Sequence, residues 1–179
     1  GGFFLYSEYD IAPPSRRTDP VGLLVTDGVV IQPPVFARAA LLQDGRTGEF
    51  SIEPIGMQGV VITFAKGRGS TTGSSESVGT AVVGEDGVRC VHRGQAKAVT
   101  LTIDEVGFAI VGRGIFAVSR RRDWEENAPT SRSLAVPLAG FVLVVPKQAC
   151  FSGDTMETGD SVSYTLQRKH VLAAMAGGP

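Results

Sequence analysis

The sequence predicts an α+β protein in which β-structure dominates, with mostly antiparallel strands joined by hairpins and little helix. Three observations carry this reading. Almost no window of about 11 residues repeats its apolar positions at the helical period. Short apolar runs are instead separated by turn signals such as Asp27-Gly28, Asp44-Gly45 and Gly84-Glu85-Asp86-Gly87. The 23 glycines and 10 prolines are spread evenly along the 179 residues, as many short strands joined by turns require. Turn spacing gives roughly ten strands. Length predicts a single domain, or part of one, over 1–179.

Gly1 to Leu5 reads as an apolar strand end. Its paired glycines let the backbone come close to another segment or to a ligand, and tight packing accounts for them equally well. Tyr6 to Pro20 is too polar and proline-rich for a regular element. It holds Glu8 and Asp10, and glycosyl transfer to water commonly uses carboxylates in pairs, although two carboxylates in a polar loop are most often solvated. From Gly22 to Gln32, two apolar runs flank Asp27-Gly28, a strong hairpin signal that makes Asp27 a turn residue first. Pro33-Pro34 ends the second strand. Phe36 to Ile55 reads as another hairpin around Asp44-Gly45-Arg46-Thr47-Gly48.

Gly59 to Phe64 is a continuous apolar run suited to a strand buried on both faces. Lys66 to Ser77 is rich in glycine and hydroxyls but lacks the Gly-Lys-Ser/Thr end of a P-loop, so it reads as a surface loop. Val78–Val83 and Val88–Val91 predict a third hairpin around Gly84–Gly87. His92, beside Arg93 at its end, has no partner at metal-ligand spacing. Ala98 to Ile103 alternates as a half-buried strand. Val106–Val111 and Ile115–Val118 flank Gly112-Arg113-Gly114, a G-x-G that opens no helix and so is no dinucleotide fingerprint.

Arg120-Arg121-Arg122 and Trp124 could hold an anion, but Asp123, Glu125 and Glu126 largely cancel that field, and a solvated loop is the better reading. Phe141 to Val145 is a second fully apolar strand. Gly159-Asp160 leads into Val162–Leu166, whose alternation fits one buried face. Val171–Ala176 is a small-residue run ending in Gly177-Gly178-Pro179, where exposed backbone can offer amides to an anion, or simply fray.

With 17 basic and 18 acidic residues the chain has no basic excess for nucleic acid. No window of about 18 apolar residues provides a membrane span. Cys90 and Cys150 are the two cysteines. If paired they would close a loop of about 60 residues, worth about 4 kcal/mol in chain entropy, but sequence does not show that they pair. There is no G-x-S-x-G, H-E-x-x-H or C-x-x-C, no internal repeat, and no reason to expect a metal or cofactor.

Five segments, in order, resemble the phosphodiester glycosidase family. Gly1-Gly2-Phe3-Phe4 is similar to its "NGGFF" signature without the leading Asn, and Gly22–Val30 to the hairpin that follows. Val136-Pro137 with Gly140-Phe141-Val142-Leu143, then Gly159-Asp160 and Val162, then Ala174 to Pro179, are similar to its proline-led strand, "GD-x-V" strand and "GGP" segment. The family continues into an Arg-containing strand and an "LDGGGS" segment that this chain does not reach, so the resemblance implies a piece of a larger enzyme, inactive alone.

The resemblance implies hydrolysis of a sugar-1-phosphodiester or related exopolysaccharide or cell-envelope glycan bond, in an extracellular or envelope setting. Gly1, Gly2, Phe3, Gly177 and Gly178 would help line the site. Arg38 stands where the family often carries an arginine and is the candidate phosphate contact, against a solvated strand-edge arginine. No catalytic acid or base is named. The competing expectation is a non-catalytic β-rich module that binds carbohydrate or is structural. One physical claim underlies the enzyme reading: the two glycine-bearing ends meet beside a common hollow.

Overall fold

The computed structural model describes residues 23–26, 29–34, 38–43, 46–67, 77–120, 131–138, 140–149 and 155–166. Its first strands are two local hairpins. β1 (Leu24–Thr26) pairs with β2 (Val29–Gln32), in register at Thr26 opposite Val29, as Asp27-Gly28 predicts. β3 (Arg38–Gln43) pairs with β4 (Phe50–Ile55) over their whole length. The second hairpin turns an apolar face outward, with Leu41, Phe50 and Ile52 exposed, and is rooted through buried Ile55 and Met57.

The body is one antiparallel sheet of seven strands: β5 (Val61–Ala65), β6 (Ser77–Val82), β7 (Arg89–His92), β9 (Glu105–Val111), β10 (Gly114–Ser119), β12 (Gly140–Pro146) and β13 (Ser161–Thr165). Their order is β6-β5-β13-β10-β9-β12-β7. The sheet is strongly curled. Phe64 of β5 and Phe108 of β9 lie three strand positions apart, roughly 14 Å in a flat sheet, yet their ring centroids are 5.0 Å apart. Phe141 of β12 meets Tyr164 of β13, again three positions away, at 6.4 Å. The inner face closes on itself around a core of Ile62, Phe64, Phe108, Ile110, Phe141, Leu143 and Val162.

One part of the outer face is covered by a second, two-stranded sheet of β8 (Ala98–Thr102) and β11 (Ser131–Ala135). Val99, Leu101 and Leu134 pack there on Ala109, Val142 and Val144. Gly107 makes the close approach possible, since a Cβ there would stand 2.6 Å from Leu101 and 2.9 Å from Leu134. Strand β12, buried on both faces, is therefore the fully apolar strand that the run Phe141–Val145 predicts.

Two expectations are corrected, and a third is met in part. The run Gly59–Phe64 is not buried on both sides: Ile62 and Phe64 enter the core, while Val61 and Thr63 stay half-exposed on a face that the β8–β11 layer does not reach. The predicted third hairpin does not form: β6 pairs with β5 and β7 with β12, as the two edges of the curled sheet. Gly84, Asp86 and Gly87, at φ 91°, 48° and 78°, turn the chain between them. Its turn is closed by bonds from Gly84 N to Val88 O and from Val88 N to Glu85 O, while Val83 stays with Val60 of the β5 side. Finally, the described residues form thirteen strands, and helix among them is confined to 3₁₀ geometry, at Lys147–Ala149 and Thr155. They are β-rich and antiparallel, and the α component expected from the sequence is not present among them.

Candidate functional site

At one end of the sheet the β5–β13 ladder continues beyond its last pair. Ala65 stands opposite Ser161, so the next residues in antiparallel register are Lys66 and Asp160. The Gly159-Asp160 turn, with Gly159 at φ 98°, brings the Asp160 carboxylate into a ring of donors. Its Oδ1 accepts from Gly67 N at 2.9 Å. Its Oδ2 accepts from Glu157 N at 2.8 Å and from Lys66 Nζ at 3.0 Å. Asp160 is only 7% exposed. Burial works to raise its pKa, but the two amides and the ammonium outweigh it and hold the carboxyl below its ordinary value.

Lys66 also donates to Thr155 O. Arg120, buried at the end of β10, donates from its guanidinium to Met156 O at 3.0 Å. Segment Thr155–Asp160 is thus held by a cation from β5 on one side and one from β10 on the other. Residues 67, 120 and 155, which bound the stretches 68–76, 121–130 and 150–154, are tied to one polar node. Each residue sits there for a local reason. Lys66 and Arg120 each end an apolar strand, and Met156, fully buried, pins the returning segment to the core.

This node was not legible as a site. The sequence marks Asp160 as a turn residue and leaves Lys66 and Arg120 in loop runs. The signal that could have found it is the register of β5 against β13, which no short motif encodes.

The other predicted residues are placed as follows. Arg38 opens β3 opposite Ile55, and its side chain lies outside the described residues. Gly1, Gly2, Phe3, Gly177 and Gly178 lie outside them too, as do Glu8, Asp10, Asp27, Trp124 and Cys150. The meeting of the two chain ends therefore lies outside the described structure. Cys90 carries a free thiol packed against the core, where burial pushes it up to about 12. His92 ends β7, accepts at Nδ1 from Gly94 N at 3.1 Å, and is lowered by burial. Among the described residues no three His, Cys, Asp or Glu side chains gather to hold a metal. No described helix is long and apolar enough to cross a membrane.

Chemically, the node offers two cations against one carboxylate whose oxygens already accept three hydrogen bonds. Such a carboxylate is an organiser rather than a free general base, which must reach the proton it removes.

No family model matches the chain, and no curated protein matches it. A matching solved structure is that of a hypothetical protein from Synechocystis, at 14% identity and a TM-score of 0.38. The match covers 92% of this chain and 27% of that one, so the chain spans little more than a quarter of its length.

Proposed function

We propose that this chain is part of a glycoside hydrolase that cleaves a sugar-1-phosphodiester, or a related exopolysaccharide or envelope glycan bond, outside the cell or in its envelope. The supporting observation is the role of Gly159-Asp160. One of the segments resembling the phosphodiester glycosidases is the turn whose carboxylate bonds Lys66, Gly67 and Glu157, next to the Thr155 and Met156 carbonyls that Lys66 and Arg120 reach. By composition 68–76, rich in glycine and hydroxyls, suits a sugar phosphate, and 121–130 offers Arg121, Arg122 and Trp124 against the opposing field of Asp123, Glu125 and Glu126.

In such a reaction water attacks the anomeric carbon as the phosphate leaves, and cations or backbone amides hold the departing charge. Lys66, half-exposed beside the carboxylate, is the described cation nearest to that duty. Asp160 organises the support and takes no proton.

The second reading is a non-catalytic carbohydrate-binding or structural module. It is favoured by the engagement of Asp160, which leaves the node without a free carboxylate for acid–base work.

The test uses the full-length polypeptide and an alkyl ester of N-acetylglucosamine 1-phosphate. Release of reducing sugar supports the hydrolase. Saturable binding without release selects the binding module. Neither turnover nor binding discards both carbohydrate readings.

A further inference from the structure

The seven-stranded sheet is unevenly sewn. β9 and β12 keep register from Val111–Gly140 to Glu105–Pro146, and β5 and β13 from Ala65–Ser161 to Val61–Thr165. Between them, β10 and β13 are in register at Gly114 opposite Ser161 alone. The backbone bonds across this seam run from Ile115 N to Asp160 O, from Gly159 N to Ile115 O and from Val162 N to Arg113 O. Past Ile115, β10 bulges at Phe116, which is 70% exposed. The seam divides the sheet into a three-stranded part, β6-β5-β13, and a four-stranded part, β10-β9-β12-β7. On the far side of the curl those parts are joined by the turn Val83–Val88, with three residues at positive φ.

We propose that the sheet is built to part at the β10–β13 seam, with Val83–Val88 as its hinge and, as its latch, the Arg120–Met156 bond held in place by the Asp160 carboxylate. Local opening follows the places where a fold has fewest bonds to break, and this seam, crossed also by the Tyr164 hydroxyl donating to Gly112 O, has the fewest register pairs between neighbours in the sheet. The latch works from the three-stranded side: Asp160 fixes Lys66, Gly67 and Glu157, and so fixes the segment that Arg120 reaches from β10. The Phe64–Phe108 and Phe141–Tyr164 contacts span both parts and draw the opened sheet closed again. This device stands apart from the carbohydrate reading.

Amide hydrogen exchange resolved by NMR on the full chain tests it. The amides of Ile115, Gly159 and Val162 should exchange at least about tenfold faster than the bonded amides of β9 and β12. Asp160→Asn should speed the seam amides roughly fivefold more than it speeds those of β9 and β12. Lys66→Met, a change at a half-exposed side chain, should do the same to a smaller degree and serves if the first variant does not fold. Seam amides as slow as those of β9 and β12 in the unaltered chain, or acceleration of all amides alike in either variant, would overturn the proposal.

Discussion

Asp160 Oδ2 lies 3.0 Å from Lys66 Nζ, across 94 residues of sequence, with the carboxylate side chain 10% exposed and the lysine side chain 45%. The pair is asymmetric: the carboxylate needs its partners because it is out of water, while the ammonium keeps part of its hydration. Most of the cost of breaking the node should therefore come from the carboxylate's loss. Asp160→Ala strands the amides of Gly67 and Glu157 and should destabilise the fold by about 3 kcal/mol. Lys66→Met should cost no more than about 1 kcal/mol, as half-exposed ion pairs do. Urea denaturation of both variants, read at unchanged slope, checks the ranking.

The same carboxylate makes stability depend on acidity. Its folded pKa lies below the ordinary 3.8, so the unfolded chain binds the proton more readily than the folded one. The contribution is complete well above 3.8, shrinks as pH falls through that value, and is gone below the folded pKa. Unfolding free energy should thus drop from roughly pH 5 downward, and Asp160→Asn should flatten part of that drop. Thermal melts across the acid range, with identical slopes for the two proteins, would contradict the assignment.

How legible this fold was depends on the range of each contact. The Asp27-Gly28 hairpin, the β3–β4 hairpin and the Gly112-Arg113 turn between β9 and β10 all form where adjacent residues predict them. Each is set by a turn and by the runs on either side. β12 was legible because a run apolar at every position has no solvent face to offer. The β6–β7 junction misled because Gly84–Gly87 has the composition of a hairpin turn, while its strands find better partners in β5 and β12. The Lys66–Asp160 pair was illegible because it follows from strand order, and strand order follows from which apolar faces close the core.

The curl of the sheet makes a prediction about coupling. Phe64 and Phe108 are fully buried and 5.0 Å apart. Each, cut to alanine, should cost about 3–5 kcal/mol through lost burial and a residual cavity. A double-mutant cycle should show a coupling of about 0.5–1.5 kcal/mol, because tilted rings in contact gain beyond their area. Additive losses would mean that the two strands do not meet across the interior.

Glycine positions separate backbone conformation from packing. At Gly140 a Cβ would stand 1.9 Å from Ile110 O, a backbone atom in the central β9–β12 ladder that no rotamer change can move. Gly48 has nothing within 4 Å but sits at φ +75°. Gly140→Ala should therefore destabilise by more than about 3 kcal/mol, and Gly48→Ala by only about 1 kcal/mol of left-handed strain. Chemical denaturation of the two alanine variants gives the order directly.

The Cys90 thiol reports on the integrity of the core. Burial raises it to about 12 from 9.0, so the thiolate that attacks a reagent is scarce at neutral pH. Its thiolate is then about a thousandfold rarer than that of an ordinary thiol in water. In a Cys150→Ser background, Cys90 should resist a thiol-reactive dye in the folded protein and react promptly in urea. Its labelling rate should climb in step with core loss in Phe64→Ala, because the thiol is shielded by the same apolar cluster that holds that ring. Fast labelling of the unaltered fold would place the thiol in water and remove β7 from the core's edge.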